Sequence, residues 1–88
     1  MTRNFIKQEI LELAANCYTH KNSGYKMISE EDGFINDLGL DEWEYTAFLT
    51  TVEMQLGINI TDEEEYSLYS GKLSGLIDLL TAKADKFA

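Results

Sequence analysis

The fold of this 88-residue chain is decided by the stretch Phe34-Ile35-Asn36-Asp37-Leu38-Gly39-Leu40-Asp41-Glu42-Trp43-Glu44. Its end carries a helix start signal. The carboxylate of Asp41 can accept hydrogen bonds from the free backbone N–H groups of a following helix, and Glu44, three residues on, completes a capping box. The sequence therefore predicts a helix that begins at Asp41 and a loop before it.

The predicted helix has two apolar sides. It extends to Gly57, because glycine readily adopts the left-handed conformation that ends helices. At 100° per residue one side forms a core stripe, which consists of Tyr45, Phe48, Leu49, Val52 and Leu56. The opposite side carries Trp43, Ala47, Thr50 and Met54. The side predicted to face outward is therefore more apolar than a solvent-exposed helix face needs to be.

Two further helices are predicted after Gly57. A short one is capped by Thr61, and Glu64 closes its capping box. The last starts near residues 70–72 and ends near residues 83–86, where lysines suit a helix C-terminus. Its inner face is formed by Leu73, Leu76, Ile77, Leu80 and Ala84.

One helix is predicted before the deciding stretch, from about Arg3 to Tyr18. Its apolar stripe has helical spacing and contains Ile6, Ile10, Leu13, Ala14 and Cys17. Residues 19–40 form a long loop, and loops of this length need a function or packing of their own. Phe34, Ile35 and Leu38 can supply that packing. With no good strand pattern, the chain is predicted to be one all-α domain, residues 1–88, built as a four-helix bundle.

Charge is distributed unevenly along the chain. The net charge is −9, and the twelve acids between Glu30 and Glu65 have no Lys, Arg or His among them. Such a segment repels nucleic acid and attracts and steers a basic protein partner. A merely solubilising acidic surface is the alternative interpretation. Without a counter-charge in the segment, its acids are expected to repel one another.

The cysteine and histidine counts and the hydropathy of the chain limit which disulfide, metal and membrane features it can have. Cys17 cannot form an internal disulfide alone, and with the single His20 it cannot build a structural zinc site. We therefore predict no metal site, and we interpret Cys17 as a buried small hydrophobe. No run of 18 apolar residues and no apolar signal core are present. These features predict a cytoplasmic protein that does not enter a membrane.

From Phe34 on, the chain resembles the acyl carrier proteins. The attachment segment of that family reads F-x-x-D-L-G-x-D-S-[LI]-[DE], and this chain matches it at Phe34, Asp37, Leu38, Gly39 and Asp41. Later family elements are matched by Ile60-Thr61-Asp62-Glu63-Glu64 and by Leu76-Ile77-Asp78-Leu79-Leu80. The resemblance implies a four-helix bundle of acyl carrier protein type, with a long first loop and a short third helix.

The resemblance breaks at the residue that would hold the cofactor. Family members carry 4′-phosphopantetheine on a serine directly after the aspartate that Asp41 matches, and this chain has Glu42 there. A carboxylate cannot form the stable phosphodiester, and the nearest hydroxyl, on Thr46, lies one helical turn further on. We therefore expect no bound cofactor and no catalytic residue. In carrier proteins the outward face of this helix uses acids to dock basic enzymes; here Glu53 remains, while Ala47 and Met54 replace acids.

These observations favour a non-enzymatic protein that acts by protein–protein interaction through its second helix. The predicted partner-binding residues are Glu42, Trp43, Ala47, Thr50, Glu53 and Met54. The first loop could instead fold over Trp43 and Met54 and bury them. Two functions stay open: a scaffold or regulator in an acyl-transfer pathway of fatty acid, polyketide or peptide-synthesis type, and a small acidic inhibitor or immunity-type protein that masks a basic partner.

Overall fold

The computed structural model describes residues 1–86, and that range contains four α-helices and no β-strand. The helices are α1 (Arg3–Asn22), α2 (Glu42–Leu56), α3 (Asp62–Leu68) and α4 (Leu73–Lys86). The predicted all-α class, the long first loop (residues 23–41) and the short third helix are confirmed. The closest approach to strand pairing in residues 1–86 is an isolated bridge between Gly33 and Lys72.

The predicted helix ends of α2 and α3 are confirmed atom by atom. The side chain of Asp41 accepts from the backbone N–H of Glu44 at 2.9 Å, and Glu44 Oε1 accepts from the N–H of Asp41 at 3.0 Å. Thr61 and Glu64 form the same reciprocal pair at the start of α3. Gly57 has φ +66° and donates its N–H to the carbonyl of Glu53. Local sequence therefore determines where these two helices start and where α2 ends.

Helix α1 is longer than predicted, and its predicted end at Tyr18 is wrong. It continues to Asn22 and closes on Ser23, which has φ +55° and donates its N–H to the carbonyl of Thr19. The apolar periodicity stops before this last turn, so the sequence pattern did not reveal it. Lys21 on this turn also contacts α2, since its Nζ lies 2.5 Å from Glu44 Oε1.

The first loop contributes buried side chains to the hydrophobic core. The side chains of Phe34, Leu38 and Leu40 are buried. The Phe34 ring meets the rings of Tyr45 and Phe48 on α2 edge-on, with centroids 5.0 and 6.1 Å apart. The predicted packing of Ile35 is wrong, since its side chain is 43% exposed.

The remaining buried side chains join these loop residues in one cluster. From the helices and the α2–α3 connection they are Ile6, Ile10, Ala14, Tyr45, Phe48, Leu49, Val52, Leu56, Ile58, Ile60, Leu73, Leu76, Ile77 and Leu80. They include the predicted core stripe of α2 in full. Cys17 is half-buried at the edge of the cluster, as is Ala84.

Backbone bonds attach the first loop to the start of α4. The N–H groups of Leu73 and Ser74 donate to the carbonyls of Asp32 (2.9 Å) and Glu30 (2.8 Å). The first N–H groups of a helix have no partner inside it, and here loop carbonyls take the place of a capping side chain. The middle of the loop is thereby held against the start of α4.

Candidate functional site

Helix α2 presents a continuous apolar strip to solvent, which we call the outward face and define as Trp43, Ala47, Thr50 and Met54. Trp43 is 86% exposed and Met54 is 80% exposed, and Ala47 and Thr50 are exposed as well. Within residues 1–86, the first loop leaves Trp43 and Met54 open, so the alternative in which it buries them is wrong. The hydroxyl of Thr50 donates to the carbonyl of Thr46 at 2.9 Å and is satisfied inside the helix.

Glu42 and Glu53 lie beside the outward face, on the side of α2 that looks toward α3. Glu42 is exposed and is the first residue of α2, directly after the capping residue Asp41. The partial positive charge of a helix N-terminus favours a carboxylate there. Glu53 is half-buried, and its Oε2 accepts from the backbone N–H of Ile60 at 3.0 Å. Of the two, Glu42 is the one free to meet a partner.

In the segment that resembles a cofactor attachment site, the matched residues have structural roles in the loop and at the start of α2. Asp37 Oδ2 accepts from the N–H of Gly33 at 2.7 Å, Leu38 is buried, and Asp41 caps α2. Gly39 has φ +66°, a backbone conformation that favours glycine. The hydroxyl of Thr46 donates to Glu65 Oε1 at 2.8 Å, so it too is engaged.

The acidic segment has no basic residue of its own, but counter-charges reach four of its twelve acids across the fold. Basic side chains of α1 and of the α4 region reach it across the fold. The pairs are Arg3–Glu30 (2.6 Å), Lys7–Glu30 (3.0 Å), Lys21–Glu44 (2.5 Å), Lys72–Glu31 (3.0 Å) and Lys83–Glu64. Hydrogen bonds from Arg3 and Lys7 lower the pKa of Glu30 to about 2. The bond from the N–H of Asp41, followed by that from Lys21, lowers the pKa of Glu44.

Carboxylates without a partner gather at one place. Among residues 30–65, only Glu42, Asp62 and Glu63 accept neither a hydrogen bond nor an ion pair at the carboxylate from the rest of residues 1–86. All three lie in the first turns of α2 and α3. Within this segment, the carboxylates that remain open to a partner's donors therefore lie at the junction of these two helices.

A groove runs between α2 and α3 at this junction, and we call it the α2–α3 groove. It has a volume of about 460 Å³ and is lined by Glu42, Tyr45, Thr46, Asp62, Glu65, Tyr66 and Tyr69. Of these, only Glu42 was predicted from the sequence as a site residue. The tyrosines could not be predicted as site residues, because Tyr45 belongs to the core stripe and α3 is too short to show a periodic pattern.

Other candidate chemistry receives little support from the geometry. Burial raises the pKa of the Cys17 thiol, which opposes thiolate formation and nucleophilic use. His20 is exposed and shares with Cys17 a shallow cavity of about 290 Å³ between α1 and α2. Within residues 1–86, no three His, Cys, Asp or Glu side chains are arranged to hold a metal ion. No helix in that range has both the length and the apolar character needed to cross a membrane.

Comparison with models of protein families gave no match, and no curated protein sequence matched the chain.

Proposed function

We propose that this chain is a non-enzymatic protein of acyl carrier type that works without phosphopantetheine and binds another protein through α2. The observation that carries the proposal is the exposure of Trp43 and Met54, eleven residues and three helical turns apart on one side of α2. A largely exposed tryptophan contributes little to the stability of its own domain, whereas on a binding surface it can serve as an anchor.

The outward face has the composition of a docking surface. Contiguous exposed apolar surface on a soluble domain often marks a protein interaction site. Tryptophan is over-represented among the residues that dominate binding energies. Ala47, between Trp43 and Met54, leaves room for a partner's side chain to approach the helix. We therefore assign the main contact to Trp43, with Met54 at the other end of the strip.

Charge indicates the kind of partner. The net charge of −9 and the unpaired carboxylates of Glu42, Asp62 and Glu63 favour a protein with a basic surface. Nucleic acid would be repelled. The proposed partner is an enzyme of an acyl-transfer pathway of fatty acid or polyketide type, which the chain would scaffold or regulate.

The acyl carrier type is supported by the resemblance from Phe34 on and by the placement of Glu42. Glu42 is the first residue of α2 and directly follows Asp41, and in that family the attachment serine directly follows the aspartate that Asp41 matches. The long first loop and short α3 agree with the architecture that the resemblance implies. A carboxylate at this position supports a carrier-like protein that stays unmodified.

The test is affinity capture from an extract of the source organism, with captured proteins identified by mass spectrometry. The immobilised chain is compared with Trp43→Ala and with a matched control, Tyr25→Ala, which removes an aromatic ring that is 80% exposed on the first loop. We expect a protein with a basic surface that Tyr25→Ala retains and Trp43→Ala loses. Capture that is identical for all three chains would refute the proposed docking face.

The identity of the captured protein separates the two functions. An enzyme that handles acyl chains supports the carrier-like function. A nuclease or toxin with a basic active site supports the alternative, a small acidic inhibitor or immunity-type protein, which the same acidic surface would also suit.

A further inference from the structure

The base of the α2–α3 groove is aromatic and rigid. The rings of Tyr45 and Tyr69 have centroids 4.6 Å apart. The hydroxyl of Tyr45 donates to the carbonyl of Glu65 at 2.5 Å, and the hydroxyl of Tyr69 donates to the carbonyl of Leu40 at 3.1 Å. Both rings are therefore held in place from two sides. Tyr66, on the outer side of α3, is 86% exposed and adds a third ring.

The rim of the groove is acidic and contains no basic residue. Glu42 stands on the α2 side, and Asp62 and Glu65 stand on the α3 side. The carboxylate of Glu65 accepts only the Thr46 hydroxyl, at 2.8 Å. The internal cations that neutralise other acids, such as Lys21 and Lys83, pair with Glu44 and Glu64 instead and do not line the groove.

We propose that the α2–α3 groove receives an arginine side chain of the protein partner. This inference rests on the proposed function, because it assumes a partner at α2, and it names the chemistry of that partner. A guanidinium is planar, so it can stack on the exposed ring of Tyr66 while its N–H groups donate to carboxylates in a fork. A lysine ammonium offers the charge without the flat face.

Other occupants fit the groove less well. An apolar side chain would bury the rim carboxylates without giving them a donor, which is costly. An anion would be repelled by the rim. A second copy of this chain would bring another net charge of −9 to the same place.

The groove and the outward face lie on adjacent sides of α2. Glu42 lines the groove and Trp43 begins the outward face, so the two surfaces meet at the start of the helix. A single partner segment with an arginine close to a large apolar residue would cover both. The partner expected from this geometry contacts the protein with that pair of side chains.

The experiment is an NMR titration of the complete chain with three probes, followed through its backbone amide signals. The probes are the Nα-acetyl amides of arginine, lysine and citrulline, at millimolar concentrations. Citrulline has nearly the shape of arginine without its charge. We expect saturable shifts with the arginine probe, confined to the amides of residues 42–46 and 62–69. The lysine probe should bind more weakly, and the citrulline probe should cause no saturable shift.

Variants locate the binding. Tyr66→Ala should weaken the arginine probe roughly two- to fivefold, as expected for loss of one exposed cation–π contact. Glu42→Gln should weaken it as well. Its matched control is Glu63→Gln, which removes the same charge from an unpaired glutamate that does not line the groove and should leave affinity unchanged. Equal effects of Glu42→Gln and Glu63→Gln, or shifts of equal size for arginine and lysine spread over residues 30–37, would overturn the inference.

The outcome is distinguishable from failure of the proposed function. Trp43→Ala should leave the affinity of the arginine probe unchanged, because Trp43 does not line the groove. Probe binding without any Trp43-dependent capture would count against the proposed function, while arginine binding by the groove would stand. Trp43-dependent capture without probe binding would overturn the arginine groove and retain the docking face.

Discussion

Replacing Phe34 with alanine tests whether the first loop is part of the core. The side chain of Phe34 is fully buried and packs edge-on against Tyr45 and Phe48 at 5.0 and 6.1 Å between ring centroids. Truncation of a buried phenylalanine costs about 3–5 kcal/mol, from lost transfer energy and the cavity left behind. For a domain of this size each kcal/mol lowers the melting temperature by roughly 4–8 °C. Phe34→Ala should therefore lower it by at least about 12 °C.

The assay is chemical denaturation followed by far-ultraviolet circular dichroism, with thermal melting in parallel. The matched control is Ile35→Ala, because Ile35 is the next residue of the same loop and is 43% exposed. We expect Ile35→Ala to cost about 1 kcal/mol or less, as for surface sites. A Phe34→Ala loss no larger than that of Ile35→Ala would refute the anchoring of the loop in the core.

The exposed face, the missing attachment serine and the ion pairs of Glu30 can each be tested separately. The fluorescence emission of Trp43, the only tryptophan, should be red-shifted and quenched by acrylamide. Trp43→Ala should lower the free energy of unfolding by about 1 kcal/mol or less. A blue-shifted emission that acrylamide does not quench would contradict the exposure of Trp43. Incubation with a broad-specificity phosphopantetheinyl transferase and coenzyme A should leave the mass unchanged, with Glu42→Ser as the variant that restores an acceptor hydroxyl. Because Arg3 and Lys7 lower the pKa of Glu30 from 4.5 to about 2, its contribution to stability is present above about pH 4.5 and is lost as pH falls toward 2. The difference in unfolding free energy between the wild-type chain and Glu30→Gln, present at pH 7, should therefore shrink over that range.

Helix boundaries set by capping were predictable from the sequence because their signals are local. Asp41 with Glu44, Thr61 with Glu64, and Gly57 each act within one turn, so no tertiary information was needed. The outward face was also predictable, since helical periodicity alone separates it from the core stripe. Whether that face was covered was not, because the path of a loop is not encoded in local spacing.

Features that depend on contacts between residues far apart in the chain could not be predicted from the sequence. The last turn of α1 contacts α2 through Lys21 and Glu44, which are 23 residues apart. The same kind of distant pairing places Arg3 on Glu30, so a count of charges within one segment misses the cations that some of its acids meet in the fold. The α2–α3 groove combines residues of two helices, and its tyrosines carry no spacing that marks them as a site.

The most direct test of the central claim, that α2 docks a protein, is photo-crosslinking from the outward face. A benzoylphenylalanine placed at Trp43 or Met54 is compared with one at Tyr25, which is equally open to solvent but lies on the first loop. In cells of the source organism, we expect positions 43 and 54 to form an adduct with the same protein and position 25 to form none. No adduct from position 43, or the same adducts from all three positions, would contradict the claim.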